Sequence, residues 1–370
     1  MPLPTKTRLL ARLTGALVVG AAVLAPQAAS AGATLTIAPG QSWTSVLDAA
    51  QPGDTVVVAQ GQHPAQRLIG KDYRGVTVVG ESRTGTVVEG LYLKDVKNLT
   101  IRNLSSAPVG AYDLGAAFKI SYGSSRITLD DVTAVPRTTT STAGFDISRG
   151  GTTSPSDIVI SDAYYNGQYV TGSGGRGVRI WAGNVPQDQW PTNVKVIRGK
   201  FVNSSADLVQ IGGGRGITIA DNKLTSPKVT DEHNDGIQTY GSNGLIVRGN
   251  TISAPGDYVG SDQGIILGHS SPENGFLKVT DSLVEGNTVD AWRGQGITIA
   301  GTERTTIRDN VVEHLNTQAS SMVVGPGQWN YQNVGATIYD NDFGKLRTIG
   351  DTSGVSFATN RVLKSDRSAR

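Results

Sequence analysis

The sequence contains no cysteine, so disulfides and thiolate metal sites are excluded and the chain must be held by burial and hydrogen bonds. Only 17% of its residues are charged, and no basic run occurs. A surface without basic clusters argues against nucleic acid or an anionic membrane as the main partner. It still allows an acidic polysaccharide to be gripped by a few local cations. Long apolar runs are missing too: none approaches the roughly 18 to 20 residues that a membrane span needs. No stretch repeats apolar residues at a spacing of 3.6, which argues against a helical bundle or a doubly wound α/β fold.

What the chain does have begins with a leader. Lys6, Arg8 and Arg12 precede the apolar run from Leu13 to Ala25, and Ala29-Ser30-Ala31 follows as a small-residue cleavage site. Residues 1–31 therefore read as a secretory signal peptide, and the mature chain as secreted and extracellular. Three of the 33 Lys and Arg lie in this leader, leaving 30 against 31 Asp and Glu. The apparent basicity belongs to the part that is removed. With 47 Gly and 15 Pro, the remainder suits many short strands joined by tight turns.

Those turns repeat. A short apolar segment ending in Asn recurs at Asn103, Asn222, Asn250, Asn287, Asn310 and Asn341. A second register reads Ala117-Phe-Lys-Ile120, Gly144-Phe-Asp-Ile147, Gly177-Val-Arg-Ile180, Leu208-Val-Gln-Ile211, Gly236-Ile-Gln-Thr239, Gly264-Ile-Ile-Leu267 and Gly296-Ile-Thr-Ile299. Unequal steps suit stacked coils in which one loop varies in length. Period-two alternation turns Phe118, Phe145, Val178, Val209, Ile237, Ile265 and Ile297 inward. The fold read from this is all-β, a single-stranded right-handed parallel β-helix over residues 32–360, with a polar tail at 361–370. Asn suits the repeated turn because it tolerates left-handed backbone and its amide can bond to the same residue one coil away.

Outward residues of the second register form a ladder: Tyr92, Lys119, Asp146, Arg179, Gln210, Gln238, Ile266, Thr298. Rungs about 4.8 Å apart would floor a groove matched to sugar hydroxyls and uronate carboxylates; an exposed charge ladder would read the same way. Just before that strand, Asp207, Asp235, Gln263 and Gln295 share a register. Two carboxylates one coil apart should repel and separate an acid from a base, unless each simply caps a turn. Asp231, Glu232, His233 and Asn234 then lie at the groove's edge in a turn that leads into the strand, and His233, set among carboxylates, is suited to proton transfer. His269 borders the same site one coil later. Asp231 and Glu232, with Asp207, Asp235 and Asp262, are oxygen donors that would suit Ca²⁺, although no Ca²⁺ loop spacing is present. Trp181, Trp190, Trp292 and Trp329 sit near long loops, and the segment 181–193 is a candidate groove wall.

The opening "SWTSVLDAAQPGDTVVVAQGQHPAQRLIG" at 42–70, followed by "GVTVVGE" and "TVVEGLYL", resembles the first coils of exported β-helix polysaccharide lyases of the chondroitinase B and alginate lyase type, within the pectate-lyase-like superfamily. That resemblance implies a carbohydrate-active enzyme acting on an acidic polysaccharide; separately, the chain is expected to be a monomer. No local motif matches those lyases' catalytic Lys and Arg or their Ca²⁺ ligands. Three reactions stay open. A lyase would use Arg179, Lys119 and His233 for β-elimination, and a uronate C5-epimerase would share its first step. A polygalacturonase-like hydrolase would use Asp207 and Asp235. In an enzyme Asp146, Gln210, Gln238, Gln263, Glu232, His269, Tyr92 and Trp181 would be the substrate contacts, whereas a binding protein would have a groove without convergent acid-base groups.

Overall fold

Alternating Val, Ile and Phe, each followed by a polar residue, give strands with one apolar face, and such a strand must stack on its neighbours to bury that face. The computed structural model describes residues 34–108, 115–136, 143–167, 175–226, 234–253, 263–268, 277–290, 295–312, 320–325 and 332–362. Within these, every pairing between the named strands is parallel, in sheets of 25 and 12 strands. One full coil runs Val209–Arg215, Thr218–Ala220, Lys223–Thr225 and then on to Ile237–Asn243. Each coil therefore carries three strands. The third strands, such as Lys200–Val202 and Lys223–Thr225, form the 12-stranded sheet.

The expected inward residues are inside. Phe118, Phe145, Val178, Val209, Ile237, Ile265 and Ile297 are all buried and follow one another in register. Phe118 stacks on Phe145 with ring centres 5.1 Å apart, and Phe201 meets Phe145 edge-on at 6.2 Å. A stack of this kind adds about 1 kcal/mol to the burial of the rings themselves.

The asparagine turn differs from expectation in one respect. Asn222, Asn250, Asn287, Asn310 and Asn341 are not the left-handed residues; the residue before each one is, namely Asp221 (φ 57°), Gly249 (φ 62°), Gly286 (φ 62°), Asp309 (φ 55°) and Asp340 (φ 55°). The reason is that each Asn has turned inward, where its side chain is buried and is needed for hydrogen bonding. Asn103 belongs to the left-handed position itself (φ 54°), one residue out of step with the later ladder, and Leu104 fills the inward place.

Two further differences concern the ends. The segment Trp43–Ala49 is an α-helix, about two turns long and too short to show a helical period in the sequence. Trp43 and Leu47, four residues apart on one face, are buried, and the Trp43 N–H donates to Gln66 Oε1 at 3.0 Å. At the other end, Arg361–Val362 pairs with Asp342–Phe343, so regular structure runs two residues past the expected boundary of the tail.

Candidate functional site

Register decides whether residues far apart in sequence share a surface, because a slip of one position turns a side chain to the opposite face. Here the rungs are continuous: Tyr92 pairs with Lys119, Lys119 with Asp146, Asp146 with Arg179, Arg179 with Gln210, Gln210 with Gln238, and Gln238 with Ile266. Ile266 pairs in turn with Thr298. Arg67 precedes Tyr92 in the same column. The polar part of the column thus runs from Arg67 to Gln238 and is closed by Ile266.

Asp146 is its electrostatic centre. The residue is 2% exposed, with Lys119 Nζ at 4.0 Å and Arg179 Nη1 at 3.9 Å from its two carboxylate oxygens. Ser148 donates to Oδ2 at 3.1 Å, while Oδ1 accepts no hydrogen bond from the described residues. Burial pushes the Asp146 carboxyl above its usual range, and Arg179 and then Lys119 oppose that. Both cations are about a quarter exposed. They are therefore tethered from below by one carboxylate and open to solvent above, as cations must be to meet an anionic ligand.

The neighbouring register holds Asp207 and Asp235, which are 3% and 0% exposed. Each carboxylate accepts the backbone N–H one coil further on: Asp235 N–H to Asp207 Oδ1 at 3.1 Å, and Gln263 N–H to Asp235 Oδ1 at 2.8 Å. Gln210 Nε2 donates to Asp207 Oδ2 at 2.8 Å. Burial first, and the Asp235 charge second, push the Asp207 carboxyl up to about 7 from an ordinary 3.8. The consequence for stability has a definite sign. Between those two pH values the folded chain keeps a proton that the unfolded chain has lost, so stability is greatest at the acid end and falls as pH rises towards 7. Asp207→Asn should flatten that fall, read as urea midpoints at pH 5 and pH 8. A variant with the unaltered slope would place the proton elsewhere.

Two residues join the site without having been singled out in the sequence. Arg176 stands two positions before Val178, as Asp207 stands two before Val209, and Val178 and Val209 are partners. Counting back from the inward residues therefore puts Arg176 in the carboxylate column. It is largely buried, and Asp207 is the strongest charge supporting its ionised form. Tyr240 follows Gln238 by one pleat, so it also points outward. Burial, with Asp207 and Asp235 next, pushes its phenol up to about 12, so it is protonated at neutral pH.

Trp181 completes this surface. Its ring lies 4.9 Å from the Arg179 guanidinium carbon and meets Tyr240 edge-on at 6.3 Å. The indole needs Gly212 beneath it: a Cβ at Gly212 would stand 2.2 Å from Trp181 Cζ3. Gly212→Ala should therefore tip the indole out of place. The expected result is a changed near-ultraviolet dichroism with the far-ultraviolet spectrum retained; an unchanged near-ultraviolet spectrum would show that the indole does not depend on Gly212.

Other expectations fall differently. Asn234 is not at the groove's edge: it is fully buried, accepting from Ser226 Oγ at 2.8 Å and donating to Ser204 O at 2.6 Å. Trp190 is not a groove wall, since it is 1% exposed, packs with Ala182 and Leu277, and donates Nε1–H to Val185 O. Asp231, Glu232, His233, Asp262, His269, Trp292 and Trp329 lie outside the described residues. Among the described residues no group of three or more acids and histidines gathers as a metal site.

The profile of the family described as "Right handed beta helix region" matches residues 143–362. Among solved structures, the Dettilon tailspike protein is similar at 13% identity and a TM-score of 0.58, over 88% of this chain and 68% of that one. A mannuronic acid specific polysaccharide family 6 lyase from human gut microbiota is similar at 12% identity and a TM-score of 0.55, over 88% and 91%. The surface adhesin PfbA of Streptococcus pneumoniae is similar at 13% identity and a TM-score of 0.54, over 86% and 85%. A search of curated protein sequences finds no match. At these identities the likeness is one of fold.

Proposed function

The chain belongs to the right-handed β-helix family, and from that premise we propose that it is an exported, monomeric, carbohydrate-active enzyme that cleaves an acidic, uronate-containing polysaccharide by β-elimination. One observation carries the reading: Lys119 and Arg179 lie in a single column, both held within 4.0 Å of the buried Asp146 and both open to solvent. Two cations one coil on either side of a shared carboxylate form a seat for a second, external carboxylate. The similar lyase acts, by its name, on mannuronic acid, which is consistent with a uronate in that seat.

The chemistry follows from what the seat does to a uronate. Neutralising its carboxylate acidifies the proton on the adjacent ring carbon, because the charge that develops on proton removal spreads into that carboxylate. A base takes the proton, the freed electron pair becomes the ring double bond, and the bond to the glycosidic oxygen breaks. The departing oxygen must then receive a proton. Tyr240, held protonated at neutral pH, is suited to give one, and Arg176 beside it would stabilise any phenolate formed. For the base we retain His233, directly before Asn234, whose position in the coil is pinned by its bonds to Ser226 and Ser204. Gln210 and Gln238 would meet ring hydroxyls. Asp207 and Asp235 act in this reading as positioning residues, which their burial and their backbone bonds support.

A binding protein on the same scaffold is the second reading. It is favoured by the two carboxylates being committed to backbone N–H groups, and the similarity to an adhesin is compatible with it. The same fact argues against hydrolysis, which needs two carboxyl groups flanking the scissile bond. Purified protein incubated with alginate, pectate, glucuronan and chondroitin or dermatan polymers separates the readings. An unsaturated product absorbing in the ultraviolet is expected. New reducing ends without that absorbance would mean hydrolysis, and binding with no chain cleavage would mean the second reading or epimerisation.

A further inference from the structure

A second cleft, of about 880 Å³, lies away from the ladder and shares no residue with it. Its lining includes Arg83, Arg198 and Lys200 together with Val135, Ala163 and Tyr164. Its size falls within the roughly 300–1,000 Å³ of ligand clefts. The walls are fixed in advance. Arg83, in the turn after Asp72–Gly80, reaches across two coils, donating Nε–H to Thr133 Oγ1 at 2.8 Å, Nη1–H to Asp131 Oδ1 at 2.6 Å and Nη2–H to the Asp162 carbonyl at 3.4 Å. Arg198 makes a two-pronged pair with the Asp162 carboxylate at 3.1 and 2.6 Å. The Asp131 carboxylate is thus occupied by Arg83 and the Asp162 carboxylate by Arg198.

What remains is an uncompensated column. Tyr164 pairs with Lys200, and Lys200 with Lys223, on the outer face of the 12-stranded sheet. Both lysines are exposed, and neither has an ion-pair partner among the described residues. Like charges directly opposite each other on adjacent strands destabilise a sheet. Among the described residues no acid pairs with either lysine to offset that repulsion, and an external anion would relieve it. An aromatic ring and two ammonium groups at one-coil spacing match a chain of anionic sugars, with the ring offering a stacking face and each ammonium a charged contact.

We propose that this cleft and the Tyr164–Lys200–Lys223 column bind an anionic polysaccharide at a second, non-catalytic site. The site tethers the polymer while the ladder works on it.

The test uses the full chain with Lys119→Ala and Arg179→Ala, so that the ladder cannot hold the polymer. Affinity electrophoresis in gels containing alginate, polygalacturonate or chondroitin sulfate, with neutral dextran as control, should show retardation by at least one polyanion. Adding Lys200→Glu and Lys223→Glu should weaken it at least tenfold, as should Tyr164→Ala alone. In the chain with an intact ladder, the two charge reversals should leave turnover of a short oligosaccharide unchanged, so failure at this cleft is distinguishable from failure of the ladder. Retardation by no polyanion, retardation indifferent to the reversals, or equal retention on dextran or single-stranded DNA would each overturn the proposal.

Discussion

Arg179→Ala should lower kcat/KM on a uronate polymer by about a hundredfold to a thousandfold, the usual loss when one preorganised partner of the developing charge is removed. The fold should survive, because Arg179 is a quarter exposed and its outward position adds little to the core. Part of the effect comes through Asp146. Without Arg179 the buried carboxylate loses the strongest charge that supports it, keeping Lys119, the Ser148 hydrogen bond and the more weakly acting Arg176, and its carboxyl, already raised by burial, rises further. Lys119 would then lose part of the charge that tethers it. Arg179→Lys should recover less than full activity, since a single ammonium cannot present the two parallel donors of a guanidinium. Asp146→Asn should cost less than Arg179→Ala, because it loosens the seat without removing either cation. A variant Arg179→Ala with wild-type kcat/KM on every polymer the protein cleaves would end the case for the seat.

The legibility of this site in the sequence is uneven for a physical reason. Parallel stacking preserves register, so one position on from each inward Phe or Val gives the outward column, and two positions back gives its neighbour, without a structure. The first count links Lys119, Asp146 and Arg179; the second reaches Arg176 as well as Asp207 and Asp235. Burial was not legible. A carboxylate that caps a backbone N–H and one that waits for substrate share a sequence register, and only the 0% exposure of Asp235 and its bond to Gln263 distinguish them. The same holds for Trp190, whose loop position suggested a sugar contact while its indole fills a small satellite core. The cleft at Arg83 was invisible for a different reason: its wall comes from a turn that bonds to residues 48 to 79 positions further on.

Asn287→Ala should be the most damaging single change to stability that leaves the candidate site untouched. Five consecutive contacts at 2.9 Å run from Asn222 through Asn250, Asn287, Asn310 and Asn341 to Asn360, each side-chain N–H₂ donating to the next side-chain oxygen. Each oxygen also accepts the backbone N–H of the preceding Asn. Removing the Asn287 amide therefore orphans two donors of Asn250, its backbone N–H and its Nδ2–H, and strips Val247 O of the bond from Asn287. All of these sit inside the solenoid, where water cannot replace the partner. At about 1–3 kcal/mol for each buried group left unpaired, the expected loss is about 3–5 kcal/mol, read as a lower urea midpoint. Because a solenoid's coils support only their neighbours, hydrogen exchange should quicken most strongly in the coils carrying Asn250 and Asn310 and less towards the Phe118 and Phe145 stack. A loss below about 1 kcal/mol would show the ladder to be ornamental. Uniform acceleration along the chain would show instead that the solenoid unfolds as one unit.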